Sequence, residues 1–315
     1  MLFLTESQVR ELLPISECIE AMRNVFAGLA EGAAANQPRR RLYMPAGTVL
    51  HSMAGSFRGY FGTKIYSTHR KGAYFLFLLY EAESGRPVAL LEANYLGQIR
   101  TGAASGLATG ILARPDAATL GLIGAGFQAG SQIEAILAVR PIRSVRVWSR
   151  SAGRRRSFVE EFARKFPGVS ILDTESAEAA VAQADVIVTA TSAKDPILDA
   201  GWISPGAHIN AVGSNHPQRR ELPAELIHRA DRIVADSVEQ CRIEAGDLLL
   251  ALNDSEWQGV VELKDVVSPG RERAPGEITI FKSVGLGVED VAAASLVFEK
   301  ARTLGLGQSL PVFYS

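Results

Sequence analysis

Apolar positions change their period twice along the chain, and each change marks a different kind of structure. Residues 5–32 read as two helices: Thr5 with Gln8 resembles a capping box, and Cys18, Ile19, Met22, Val25, Phe26 and Leu29 recur at helical spacing up to Gly32. From Gln37 to about Ala93 the pattern turns to short β-like runs, RRLYMPA, GTVLHSMAGSF, YFGTKIYSTH, AYFLFLLYEA and PVALLEA, broken by glycines or by the SGRP turn at 84–87. That stretch predicts a mostly antiparallel sheet. Residues 95–112 are rich in small side chains with a helical repeat, ending at Ala113-Arg114-Pro115. From Thr119 strands and helices alternate, with strand candidates at 120–123, 145–148, 169–172, 186–189, 208–212 and 232–235 and helices at 152–165 and 176–183. Alternation of that kind predicts a doubly wound parallel sheet. A final amphipathic helix is expected at 288–304, returning to the first domain. The expected architecture is therefore α/β: a Rossmann-type dinucleotide-binding domain, 116–287, inserted in a second α+β domain made of 1–115 and 288–315, which would bind substrate and dimerise.

The joint between the first two strands of the alternating region carries the clearest chemistry. In TLGLIGAGFQAGS at 119–131, Leu120, Leu122 and Ile123 run into Gly124-Ala125-Gly126-Phe127-Gln128, followed by small Ala129, Gly130 and Ser131. Gly124 permits a tight turn, Gly126 removes a side chain that would block a pyrophosphate, and a small residue at 129 lets helix and strand pack closely. The helix start offers unpaired N–H groups and a positive dipole end. An NAD site usually carries Asp or Glu at the end of the next strand, whereas SVRVW here runs into Ser149-Arg150-Ser151. A guanidinium flanked by hydroxyls fits a 2′-phosphate, so NADP(H) is favoured over NAD(H), with Arg150 as the reader. At least two of Arg154, Arg155 and Arg156 read as the solvated face of the following helix.

Composition narrows the class further. With 315 residues, 33 basic and 34 acidic side chains and a net charge of −1, the chain suits two domains and has no basic stripe for nucleic acid. The start MLFLTESQVRELL lacks a signal-peptide pattern, and no apolar run reaches the roughly 18 residues of a membrane span. Cys18 and Cys241 read as buried thiols of a reduced, cytoplasmic protein, and the five histidines show no metal-ligand spacing.

Several charged residues stand where charge is costly. Lys64 lies inside the strand-like FGTKIYS and either snorkels to the surface or lines a site. Arg100, just before Thr101-Gly102-Ala103, either holds a substrate carboxylate with helix N–H groups or is a surface arginine between domains. Thr189-Ala190-Thr191 and Val212-Gly213-Ser214-Asn215-His216 end strands at the carboxyl edge, where α/β ligands bind. His216 has a suitable intrinsic pKa for acid/base work, but a loop histidine before proline is more often simply exposed. In FKSVGLGVED at 281–290, Glu289 and Asp290 read as N-terminal helix capping rather than catalysis.

Six ordered blocks, QPRR at 37–40, GTK at 62–64, RTGAAS at 100–105, GAGFQA at 124–129, GAHINAVG at 206–213 and FKSVGLGVED at 281–290, resemble the ornithine cyclodeaminase/μ-crystallin family over nearly the full length. The resemblance implies that Arg40, Lys64 and Arg100 grip the substrate carboxylate and its imine or amine edge. Gly124, Ala125, Gly126, Phe127 and Gln128 would form the pyrophosphate loop and Ser149-Arg150-Ser151 the ribose site, with Thr101, Thr189, Thr191, Val212, Gly213, Ser283 and Gly285 completing the cofactor's surroundings. A homodimer with the first domains' sheets packed together is implied as well. The chain also departs from the cyclodeaminase pattern: Asn215 stands where those enzymes carry an aspartate, and His51 stands near where they carry a glutamate. Asparagine cannot act as a general base, and a second ammonium would meet little negative charge. The expected function is thus NADPH-dependent reduction of a small 2-imino acid, a cyclic ketimine such as Δ1-pyrroline-2-carboxylate, with Lys64 and Asn215 catalytic and Arg40, Arg100 and His51 binding substrate. Ornithine cyclodeaminase, a related amino-acid dehydrogenase and a non-catalytic NADPH-dependent binder are the alternatives.

Overall fold

The computed structural model describes residues 1–268 and 273–312. The chain divides into two compact units: unit 1, Met1–Arg100 with the segment from Gly285 onward, and unit 2, Thr101–Val284.

Unit 1 is a seven-stranded sheet with helices on one face. It comprises β1 (Leu2–Leu4), α1 (Glu6–Leu12), α2 (Ile15–Ala30), β2 (Ala34–Tyr43), β3 (Val49–Phe57), β4 (Tyr60–His69), β5 (Gly72–Glu81) and β6 (Pro87–Glu92). The start of α3 (Asn94–Leu112), and near the end of the chain α10 (Gly287–Leu304) and β15 (Gln308–Ser309), complete it. Strand order is β15-β1-β6-β5-β4-β3-β2, antiparallel from β2 to β6. The Thr5 N–H donates to Gln8 Oε1 at 3.1 Å, as the capping box requires. Because successive side chains alternate between faces, Met53, Phe57, Tyr66, Phe77 and Leu79 are buried, while Leu50, Ile65, Tyr74 and Leu76 stay exposed on the outer face. β1 and β15 escape the sequence pattern because three- and two-residue strands show no period. Backbone pairing creates them, Leu2 with Ala89 on one side and with Ser309 on the other.

Unit 2 alternates as its sequence predicts. It carries the rest of α3, then β7 (Thr119–Ile123), α4 (Ala129–Val139), β8 (Ser144–Trp148), α5 (Ala152–Lys165), β9 (Ser170–Asp173), α6 (Ala177–Val181), β10 (Val186–Thr189) and β11 (His208–Ala211). There follow α7 (Ala224–Arg229), β12 (Arg232–Ala235), α8 (Val238–Glu244), α9 (Gly246–Leu249), β13 (Val261–Glu262) and β14 (Thr279–Lys282). The sheet runs β13-β12-β14-β11-β10-β7-β8-β9 with every pair parallel. From β7 the chain winds outward through β8 and β9, then crosses back to β10 on the other side. β7 and β10 therefore flank a topological switch point, where such sheets open a ligand crevice at the strands' carboxyl ends.

The joints of the compact units fall at 100/101 and 284/285 rather than at 115/116 and 287/288. Helix α3 runs unbroken through Arg100 and Thr101, and its later turns belong to unit 2: Asn210 Nδ2 donates to Thr109 Oγ1 at 3.0 Å. Helix α10 is less amphipathic than its sequence suggests, since every residue from Gly287 to Ala294 is buried.

Candidate active site

Unit 2 holds a cleft of about 900 Å³ at the switch point. Residues 124–128, 149–151, Thr191, Val212 and Gly213 line it, so most of the expected cofactor residues do share one cavity. Gly124 makes the turn with φ +114°, and a Cβ there would stand 2.4 Å from the Ala190 carbonyl oxygen, so the loops after β7 and β10 touch. A Cβ on Gly126 would meet nothing within 4 Å. Gln128, at the N-cap of α4, has its Oε1 buried without a hydrogen-bond partner. An open backbone approach and a helix start suit a dinucleotide's phosphates, while the orphaned amide oxygen, an acceptor, suits a donor such as a ribose hydroxyl. At the far end of β8, Arg150 and Arg154 both line the cleft, while Arg155 pairs with Asp173 at 3.3 Å and donates to the Ser149 carbonyl. Of the three arginines at 154–156, Arg154 is thus the one that lines the cleft.

Four other expected cofactor residues stand apart from this lining. Thr189 is buried, its hydroxyl donating to Glu221 Oε2 at 2.9 Å. Ser283 Oγ donates to Asp236 at 3.0 Å, and Thr101 is buried within α3. Gly285 belongs to unit 1, where a Cβ would stand 2.7 Å from an Arg100 guanidinium nitrogen.

Unit 1 gathers a buried ionic cluster. Lys64 on β4 is only 2% exposed, and its Nζ lies 2.7 Å from Asp290 Oδ2. Arg100 Nε reaches Asp290 Oδ1 at 2.9 Å, and Arg100 Nη1 reaches Glu289 Oε2 at 2.7 Å. Snorkelling is thus ruled out for Lys64, and Arg100 is no surface arginine. Burial is the main influence pushing Lys64 down to about 7; Arg100 adds to it and Asp290 opposes it. An amine titrating there can give and take a proton near neutrality.

Two glycines bring the acids in. A Cβ on Gly55 of β3 would stand 2.6 Å from Val288 Cα, and one on Gly287 would stand 2.5 Å from the Ala54 carbonyl oxygen. The first turn of α10 therefore lies directly on β3 and carries Glu289 and Asp290 toward Lys64. Helix capping, the sequence expectation for these two acids, gives way to a different role: they are the counter-ions of the cluster. The signal was present: two carboxylates embedded in an apolar run pose the same burial problem as Lys64.

The adjacent arginines of β2 divide between the two faces of the sheet, and Arg40 is not the one that faces Lys64. Arg40 pairs in register with Ser52 and is exposed on the outer face, whereas Arg39 is buried and donates to Met53 Sδ and the Gly285 carbonyl, both at 3.4 Å. The register shifts between Gln37 and Arg40, and such an irregularity decides which of three consecutive arginines faces inward. Met53 is in register with Lys64, so Arg39 shares the face that carries the lysine. His51 lies on that face too, stacked on Tyr66 with centroids 4.2 Å apart and bonded through Nε2 to Thr68 Oγ1 at 3.0 Å. Burial, then Arg41 and Arg39, lower it to about 4, so it is neutral at pH 7. Asn215 is exposed in the loop after β11, and His216 accepts from the Gln218 N–H at 3.1 Å. Among the described residues, no cluster of three His, Cys, Asp or Glu is arranged to hold a metal, and no helix is long and apolar enough to cross a membrane.

Known proteins share both the sequence and the geometry. A Δ1-pyrroline-2-carboxylate reductase of Bacillus cereus is 40% identical over 239 residues, covering 74% of this chain and 73% of that one. The structure of the Thermococcus litoralis Δ1-pyrroline-2-carboxylate reductase with NADH and L-proline superposes with a TM-score of 0.93 at 33% identity, covering 98% of this chain and 100% of that one. An archaeal alanine dehydrogenase dimer with bound NAD gives 0.92 at 32% identity, with 99% of each chain covered. The family model described as ornithine cyclodeaminase/mu-crystallin matches residues 1–304, and this chain belongs to that family.

Proposed function

We propose that the protein is a nicotinamide-dependent reductase of a small 2-imino acid, a cyclic ketimine of the Δ1-pyrroline-2-carboxylate type, working with NADPH. The observation that carries this reading is Lys64, a buried amine titrating near neutrality and held 2.7 Å from a buried carboxylate. Reducing C=N to CH–NH requires one hydride at carbon and one proton at nitrogen. A reduced nicotinamide supplies the hydride when bound. Protonated Lys64 hydrogen-bonds to the imine nitrogen and delivers the proton, and Asp290 keeps the amine charged enough to do so. Arg39, from the same sheet face, holds the substrate carboxylate. Arg100 acts as a positioning residue, because its Nε and Nη1 already orient Asp290 and Glu289. The named side chains comprise three cations and two anions, a balance suited to a single carboxylate rather than to a diamine. Neither His51, held neutral, nor Asn215 supplies the acid that a second ammonium would need.

Preference for the 2′-phosphate rests on Arg150 and Arg154 at an acid-free strand end. Unit 2 is the dinucleotide domain on this reading, and unit 1 binds substrate and dimerises through the outer sheet face bearing Leu42, Leu50, Ile65 and Tyr74, all exposed. Two free buried cysteines fit a cytoplasmic setting. The test is nicotinamide absorbance with NADPH or NADH against cyclic ketimines, against pyruvate plus ammonia, and ammonia release from ornithine with NAD. Ketimine reduction is expected. Faster turnover of pyruvate plus ammonia would make it an alanine dehydrogenase, ammonia from ornithine a cyclodeaminase, and binding without turnover a non-catalytic binder.

A further inference from the structure

Among the buried ionisable side chains of unit 2 that take no part in the reaction proposed above, Glu221, Asp247 and Lys282 form one linked group, each without exposure. The Glu221 carboxylate accepts four hydrogen bonds. On Oε1 they come from the Thr191 N–H and hydroxyl, both at 2.7 Å; on Oε2 they come from the Thr189 hydroxyl at 2.9 Å and the Gly213 N–H at 2.8 Å. One carboxylate thus ties the loop after β10 to the loop after β11, and both loops line the cleft. The tie is close: a Cβ on Gly213 would stand 2.4 Å from both Glu221 Oε1 and the Thr191 nitrogen.

The residue is itself held from behind. Asp247 Oδ1 accepts from the Glu221 and Leu222 N–H groups at 2.6 and 3.0 Å, and the Glu221 carbonyl accepts from the Ile197 N–H at 2.9 Å. Lys282 Nζ then spans Asp247 Oδ2 and the Ser214 carbonyl, both at 2.7 Å, beside Asn215. A buried ion pair rarely adds more stability than a well-packed apolar group of the same volume would. What four converging donors on one carboxylate do achieve is a fixed separation between the two loops.

We infer that Glu221, backed by Asp247 and Lys282, is a positioning residue for the dinucleotide, setting the spacing of the Thr191 and Gly213 loops. The inference rests on the reading of the cleft as a cofactor site. Glu221→Gln puts an NH₂ among donors, so at least one loop N–H or hydroxyl loses its acceptor. Losing a hydrogen bond to a charged group is worth about 10- to 150-fold, so NADPH affinity should weaken and its KM rise by about that factor. The kcat at saturating cofactor should change little, and Glu221→Asp should restore part of the affinity. Hydrogen–deuterium exchange should quicken in peptides covering 189–195 and 212–216 and not across β7. Thr189→Val, which removes one donor without touching the carboxylate, should move both readouts the same way by less, and it decides the matter if Glu221→Gln does not fold. Parental exchange and affinity in the variant would overturn the inference, as would a loss of kcat at unchanged KM. Should the parent protein bind neither dinucleotide, the cofactor reading fails, while the exchange pattern still decides whether Glu221 fixes the loops.

Discussion

Lys64 and Asp290 lie on elements more than two hundred residues apart in sequence, yet their Nζ and Oδ2 atoms stand 2.7 Å apart. Asp290 is what keeps the lysine's pKa from falling further under burial and the neighbouring Arg100. The group is protonated below about 7 and neutral above it. Proton delivery should therefore hold steady on the acid side and fall tenfold per pH unit above that value, while oxidation of the amine, which needs the neutral lysine, should rise up to about 7 and level off above it. Asp290→Asn should move the break to lower pH. The check is kcat/KM for ketimine reduction across the range, and a flat profile would remove Lys64 from the proton path.

Replacing Lys64 by Met should cost about a hundred- to ten-thousand-fold in turnover, the usual range for a positioned acid/base group. NADPH binding, measured by fluorescence titration, should stay near parental, because the cleft residues all belong to unit 2.

Adjacent arginines of β2 should behave in opposite ways. Arg39→Ala should weaken kcat/KM for the imino acid by about 10- to 150-fold, the worth of a charge-assisted hydrogen bond. Arg40→Ala, on the outer face away from Lys64, should leave kcat/KM for the imino acid within about twofold of parental. Steady-state kinetics of the two variants side by side settle the assignment, and a larger defect in Arg40→Ala would reverse it.

The cofactor preference should follow Arg150. Arg150→Asp should exchange a phosphate-matching guanidinium for a group that accepts ribose hydroxyls and repels a 2′-phosphate, turning NADPH selectivity toward NADH. Comparing the two dissociation constants before and after the change tests this; equal affinities in the parent protein would sink it.

Gly55→Ala should destabilise the fold by about 1–3 kcal/mol, since its Cβ would collide with backbone of α10 and overpacking of that kind is not relieved by a rotamer change. It should also displace Glu289 and Asp290 and so slow turnover. Gly153→Ala in α5, where a Cβ meets nothing within 4 Å, is the control and should leave the melting temperature unchanged or slightly raised.

The parallel sheet, the glycine turn and the basic strand end were legible because each depends on local chemistry. Apolar runs alternate with helical repeats, Gly124 must reach φ +114°, and Ser149-Arg150-Ser151 follows β8 directly. The same holds for the burial problem at Lys64, which the strand's pattern posed without answering. The answer came from long-range packing. Two close-approach glycines seat α10 on β3 and convert Glu289 and Asp290 from apparent caps into counter-ions, a pairing no local window contains. Likewise a register shift in β2 turned Arg39 inward and Arg40 outward, although the two are chemically identical and adjacent. Thr189 and Ser283 stand at strand ends beside the crevice, but buried Glu221 and Asp236 take up their hydroxyls. Sequence determined which elements form and what chemistry they carry, because periods and turn residues act over a few neighbours. Only tertiary structure decided which charges meet, because burying a charge is settled by the partner that arrives from elsewhere in the chain.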